Sequence, residues 1–162
     1  MSVTSAKGSK PWLPPRWIIR LAWIAHRAAH RFTGGRRGLK LAKPGVEGYM
    51  RLHTVGRRSG RERAAILAYF EDGQNLVTMA MNGWADPEPA WWLNLLAHPE
   101  ATVDLKDGSR RVRARAADGE ERERLWTALD QHNGWGASID AYARRRSRLT
   151  AVVVLEPAPA NP

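Results

Sequence analysis

The sequence predicts an α+β domain in which about six short strands, enough for a small closed barrel, are broken by a few helices. Three observations carry that expectation. From about Tyr49 onward the apolar residues recur with a period of two. Asp72-Gly73 and Asp107-Gly108 stand between alternating segments, where a tight hairpin favours such pairs. The runs of strand are interrupted by segments with helical spacing and recognisable ends.

Residues 1–11 read as a disordered leader, 12–45 as an amphipathic helix and basic linker, 46–157 as the barrel domain and 158–162 as a tail. Pro14 and Pro15 suit the start of a helix running to about Phe32. At about 100° per residue, Trp17, Ile18, Leu21, Ile24, Ala25 and Ala28 share one side. Arg16, Arg20, Arg27 and Arg31 form an adjacent stripe, with Trp23, His26 and His30 on the polar side. Such a helix either packs on the barrel or lies on an anionic membrane surface. The basic, glycine-rich stretch TGGRRGLKLAKPG then acts as a linker.

The first strand is YMRLHTV, followed by an arginine-rich turn and the strand AAILAYFE. A turn at Glu71-Asp72-Gly73-Gln74 leads into NLVTMAM. PAWWLNLLAH is a helix that stops before Pro99, since a residue preceding proline disfavours helical geometry. ATVDLK and RRVRARAA make a second hairpin. DGEERERLWTALDQH is a helix with Asp118 as its N-cap and Glu121 three residues later as the capping-box partner. ASIDAYARRR is a short third helix, and TAVVVLE a last, buried strand.

The 162 residues suit one domain with one core, and 43% hydrophobic and 26% charged residues are ordinary for it. Eight tryptophans are not ordinary; they supply flat contact surfaces suited to a pocket. A net charge of +10 and a pI near 11.0 point to an anionic partner: nucleic acid, a membrane or a multiply charged small molecule. The absence of cysteine excludes disulfides and thiol chemistry and fits a reducing cytoplasm. No apolar run reaches the roughly 18 residues of a membrane span, and the N-terminus lacks a secretory signal pattern.

Four arginines, Arg57, Arg58, Arg61 and Arg63, crowd the stretch GRRSGRER between the first two strands. Gly56 and Gly60 let the backbone turn and approach a ligand, and Ser59 adds a hydroxyl. Planar guanidinium groups suit phosphate and carboxylate. The stretch is not a Walker A loop. It is either a solvated charged turn or an anion clamp. Further along, Asn82-Gly83-Trp84 leads into a proline loop and a helix carrying Trp91 and Trp92. These two lie about 100° apart, so one belongs to the core, while the other, or Trp84, could stack on an aromatic ligand. Asp86 and Glu88 flank prolines and read as caps for the helix starting near Pro89. His26 and His30 lack a third ligand, and His53, His98 and His132 are scattered, so no zinc site is expected. No nucleophile motif or catalytic triad is present. A barrel with an anion clamp, aromatic surfaces and no side-chain catalytic machinery lets a cofactor do the chemistry.

Four blocks in order, LHTVGRRSGRERAAILAYFEDGQNLVTMA, PAWWLNLLAHPEATVDL, ARAADGEERERLW and AVVVLEP, resemble the deazaflavin-dependent nitroreductase and quinone reductase family of actinobacteria. The resemblance runs from about Tyr49 to Pro157. It implies a split β-barrel like those that bind FMN, and the cofactor F-420, a 5-deazaflavin with a phosphate and an oligoglutamate tail. It implies hydride transfer from reduced F-420 to a quinone-, enone- or nitroaromatic-type acceptor. By the same resemblance, the turn from Gly56 to Arg63 binds the tail, with Arg58 and Arg63 at phosphate-contacting positions. Ile66, Met79, Ala80, Met81, Asn82, Gly83, Ala90 and Trp91 line the deazaflavin, and Tyr142 and Trp84 face the acceptor. Two departures stand out. Met81-Asn82-Gly83-Trp84 lacks the family's usual basic residue, and of its acceptor-side tyrosines only Tyr142 has a counterpart. Peripheral membrane contact through residues 12–32, and a monomer or homodimer, fit the family as well. Competing readings are a non-catalytic F-420 carrier, a basic nucleic-acid-binding barrel, and FMN in the same cleft.

Overall fold

The computed structural model describes residues 38–132 and 136–159, together with Pro15, Trp17, Ile18 and Leu21. Its centre is a closed antiparallel barrel with the strand order β1-β2-β3-β6-β5-β4. The strands are β1 (Gly48–Val55), β2 (Glu62–Asp72), β3 (Asn75–Met79), β4 (Glu100–Leu105), β5 (Gly108–Ala116) and β6 (Val152–Pro157). All six were expected from the sequence, the first five from the period-two stretch and its turns and β6 from its apolar run. Helix α1 (Ala90–Ala97) joins β3 to β4, while α2 (Gly119–His132) and α3 (Ile139–Ala143) lie between β5 and β6. The β2–β3 hairpin pairs Asp72 with Asn75, leaving Gly73-Gln74 at the tip, and Gly73 takes the left-handed φ of 62° that the turn requires.

Alternation sorts the side chains. Met50 and Leu52 of β1, Val103 and Leu105 of β4, and Val153 and Leu155 of β6 fill the barrel. Val152 and Val154 of β6 point the other way, as do Phe70 and Val77, and are covered by Leu125 and Leu129 of α2 and Ile139 and Tyr142 of α3. The run VVVL is thus buried on both faces, which is why it reads as continuously apolar. Helix α1 packs on β1, β2 and β5 together. That corrects the expectation that only one of its adjacent tryptophans is core. Trp91 and Trp92 are both buried, 6.3 Å apart in a T-shaped pair, because a helix seated on several strands is enclosed on more than one side.

The outer face of β1 and β4 carries a polar network. Asp104 accepts from Arg51 (2.8 Å), from Ser109 Oγ (2.6 Å) and from His53 Nε2 (2.8 Å), while His53 Nδ1 meets Glu62 at 2.9 Å. Burial pushes the Asp104 carboxyl up, but the bonds from Ser109, His53 and Arg51 outweigh it and hold it well below the usual carboxylate range. Elsewhere Glu121, expected to close a capping box, forms a two-pronged pair with Arg115 at 2.6 and 2.8 Å, so its carboxylate is drawn off the helix start.

The predicted helix over residues 12–32 falls largely outside the described residues. Within it, Trp17, Ile18 and Leu21 are helical, with 62%, 40% and 54% of their surface exposed. Among the described residues no helix is long and apolar enough to cross a membrane.

Candidate active site

The arginine turn is built from the backbone outward. β2 begins at Glu62, so Arg63 stands in the ladder opposite Thr54, and the loop itself is only Gly56 to Arg61. Gly56 N–H donates to Arg61 O and Gly60 N–H to Gly56 O, both at 2.8 Å. Gly56 is buried, and a Cβ there would lie 2.7 Å from Ser59 Oγ and 3.1 Å from Arg61 O. Gly60 has a φ of 63°, which a side chain would strain. Ser59 Oγ accepts from the Arg61 N–H at 3.3 Å and so braces the loop.

Arg57, Arg58, Arg61 and Arg63 are all exposed. None of these four side chains pairs with a carboxylate among the described residues. By contrast Arg51, Arg110, Arg111, Arg113, Arg115, Arg124 and Arg146 each have an acidic partner. Arg122, Arg144 and Arg148 also have no acidic partner among the described residues, but only here do four such arginines gather on one short loop and the strand residue that follows it. Such a group has the donor chemistry of an anion site.

What fixes the loop to the rest of the molecule is a residue that sequence reasoning missed. Asn94 of α1 is buried; its Oδ1 accepts from the Arg57 N–H at 3.1 Å, and its Nδ2 donates to Thr54 Oγ1 at 3.1 Å. The signal was present: one asparagine inside the apolar run WWLNLLA is either a buried partner or a cost. Three residues earlier on the same helix is Trp91, and Ala90 is exposed at its first turn. One helix therefore links the turn to the proposed ring-lining positions.

Those positions do not all face one way. Ala80 is fully buried and shares the barrel core with Trp91. Met79 and Met81 pack instead on the outer cluster, beside Trp84 and Tyr142. Asn82 and Gly83 are exposed. Ile66 lies opposite Arg51 on β2, while its neighbours Ala65 and Leu67 pack on the barrel core. Trp84 and Tyr142 are 4% and 6% exposed, with rings stacked at 5.7 Å and 15°. They thus form a packed wall. Trp84 also has a φ of 59°, following Gly83 at 56°, and is the one non-glycine residue in the left-handed region among the described residues. Such strain persists only where the surroundings impose it.

The acidic proline loop corrects another expectation. Pro89 is the N-cap of α1, and no side chain caps it. Asp86 Oδ1 instead accepts from the Ser147 N–H at 2.5 Å, and Glu88 pairs with Arg146 at 3.2 Å. Both carboxylates are drawn to the connection between α3 and β6, a partner invisible in local sequence. A cavity of about 360 Å³, lined among others by His53, Gly60, Glu62 and Arg111, opens beside the turn; no ring-lining candidate borders it. Among the described residues no cluster of His, Asp and Glu is arranged to hold a metal.

Comparison with known proteins finds relatives that share most of the chain. The family described as F-420H(2)-dependent quinone reductase matches residues 23–157. An F-420H(2)-dependent quinone reductase of Mycobacterium tuberculosis is 30% identical over 146 residues, covering 86% of this chain and 95% of the relative. A second, putative one from the same organism is 30% identical over 107 residues, covering 65% of this chain and 87% of its own. Among solved structures, an F-420-H2 dependent reductase superposes with a TM-score of 0.59 at 27% identity, covering 72% of this chain and 97% of that one. A protein described as a domain-swapped dimer shares the fold at a TM-score of 0.60 and 24% identity, covering 85% of this chain and 99% of its own.

Proposed function

The chain belongs to the F-420H(2)-dependent quinone reductase family, and from that premise we propose that it transfers hydride from reduced coenzyme F-420 to a quinone-type acceptor. The observation that carries the reading is the group of four guanidiniums without carboxylate partners on a turn that Asn94 ties to the Trp91 helix. That donor set fits a phosphate and a row of carboxylates.

When bound, the reduced deazaflavin supplies the hydride, so the protein need not supply a nucleophile. Arg57, Arg58, Arg61 and Arg63 hold the anionic tail. The Met79–Gly83 backbone, with Ala90, Trp91 and Ile66, orients the ring. Trp84 and Tyr142 back the acceptor side as a packed wall, which favours flat acceptors over bulky nitroaromatics. Holding two rings at reacting distance is itself a large contribution, since effective molarities for oriented partners reach about 10⁵–10⁸ M.

The test is a titration of the protein into F-420 followed by cofactor fluorescence, with FMN in parallel. Submicromolar affinity for F-420 and much weaker affinity for FMN is the expected result. Absence of F-420 binding would reject the reading and bring FMN or nucleic acid forward.

We also propose that residues 12–32 rest on an anionic membrane surface, where a lipophilic quinone would be met. The exposed apolar side chains of Trp17, Ile18 and Leu21, in a segment rich in arginine, support it. Vesicles with anionic lipid should co-sediment the protein at low salt, and Trp17→Glu with Leu21→Glu should abolish this. Equal sedimentation of the double variant would refute the contact.

A further inference from the structure

Among the described residues Arg146 is the one buried charged group, and the proposed function has given it no task. Its side chain has 0% exposure. Nη1 donates to Ala80 O at 3.0 Å and to Thr150 Oγ1 at 2.8 Å. Nη2 reaches Asp86 O at 3.4 Å and the Glu88 carboxylate at 3.2 Å. Beside it, the Ser147 N–H donates to Asp86 Oδ1 at 2.5 Å.

The polar partners of the Arg146 guanidinium, Thr150 apart, all lie on the segment from Ala80 to Glu88. That segment runs from the end of β3, through the strained Gly83-Trp84 step, to the start of α1. Burying a guanidinium is not an economical way to stabilise a fold, because well-packed apolar residues of similar volume usually do as well or better. What a planar fork with several fixed partners does supply is one defined conformation. Here it fixes a loop with two consecutive left-handed residues, a geometry that local preferences oppose. Ala80 N–H is also held by Ala151 O at 2.9 Å, so the carbonyl and the amide of Ala80 are tied to the same connection before β6.

We infer that Arg146 is a positioning residue for hydride transfer: with Glu88 and Asp86 it latches the Ala80–Glu88 segment so that its backbone meets the cofactor ring in one register. The inference rests on the proposed function, because it is the ring-lining role of Met79–Gly83 that makes the latch matter. It does not involve the arginine turn, so it predicts that ring placement and tail binding separate.

Arg146→Lys keeps the charge and loses the fork; Glu88→Gln keeps the shape of its partner and loses the ion pair. Three readouts apply to both variants and to the unaltered protein: amide hydrogen exchange of residues 80–88 without cofactor, F-420 affinity by fluorescence, and kcat and KM with menadione as acceptor. For Arg146→Lys the expected result is faster exchange across 80–88, F-420 affinity within about threefold of the unaltered protein and kcat at least tenfold lower. Glu88→Gln should show the same pattern, weaker, and serves where Arg146→Lys does not fold. A kcat within threefold in a folded variant overturns the latch. So does a loss of kcat matched by an equal loss of F-420 affinity, which is what general destabilisation would give. If the unaltered protein does not bind F-420, the proposed function itself fails and takes this inference with it; normal binding with normal kcat in the variants removes the inference alone.

Discussion

Replacing Arg58 and Arg63 together by alanine should weaken F-420 binding by about 3–6 kcal/mol, because each charge-assisted bond contributes roughly 1.5–3 kcal/mol. That is a loss of roughly 10²- to 10⁴-fold in affinity. The lower end is the better expectation at physiological salt, since both side chains are exposed before the ligand arrives. Arg63 is on the β1–β2 ladder and Arg58 at the tip of the loop, so they approach an anion from two directions. Removing them should also flatten the salt dependence of binding. Arg124→Ala supplies the control. It is a surface arginine engaged with Asp72 at 2.8 and 2.9 Å, and its loss should leave F-420 affinity unchanged. Unchanged affinity in the double variant would reject the clamp, and equal losses in the Arg124 variant would reduce it to a general effect of net charge.

The barrel was legible because its signals are local. Period-two alternation and an Asp-Gly turn act within a few residues, and the observed strands begin and end within two residues of the predicted ones. The double burial of β6 was legible too, as an unbroken apolar run. The failures share a different cause. Glu121, Asp86 and Glu88 were read as helix caps because capping is the local use of an acidic residue near a helix start. Each instead meets a cation or amide brought in from another element: Arg115, Ser147 and Arg146. Partners on other elements outcompete the cap wherever folding places them closer: Ser147 is 61 residues from Asp86, outside any local window, whereas Arg115 is only 6 residues from Glu121 but belongs to β5 rather than to the helix.

The site divides along the same line. The arginine turn announces itself through composition, and the resemblance to a family implies a ligand for it. Asn94 was readable in principle, as a lone amide in an apolar helix. Arg146 was not. It stands in the run RRRSR, where nothing distinguishes a fully buried guanidinium from its exposed neighbours Arg144 and Arg145. Which arginine turns inward is decided by Ala80 O and Thr150 Oγ1, and those meet only in the closed barrel.

Trp84 opposes two large effects, and their balance predicts an unusual order of stabilities. Its ring is 4% exposed and stacked on Tyr142, and truncating a buried tryptophan to alanine costs about 3–5 kcal/mol. Its backbone φ of 59° is a strained conformation for any residue with a Cβ, at about 1–3 kcal/mol. Trp84→Ala loses the packing and retains the strain. Trp84→Gly loses the packing and releases the strain, and the release exceeds the roughly 0.4–1 kcal/mol that extra freedom of glycine in the unfolded chain costs. Glycine should therefore be the more stable of the two variants, against its usual rank below alanine. Both should unfold at lower urea concentration than the unaltered protein, with glycine ahead of alanine by about 1 kcal/mol, or a few degrees in Tm for a chain of this size. Alanine ahead of glycine would mean that the left-handed conformation is not what this loop stores. With F-420 bound, both variants should keep their cofactor affinity while the KM for menadione changes, because the ring removed backs the acceptor and not the tail. Loss of F-420 affinity with an unchanged acceptor KM would place Trp84 on the cofactor side instead.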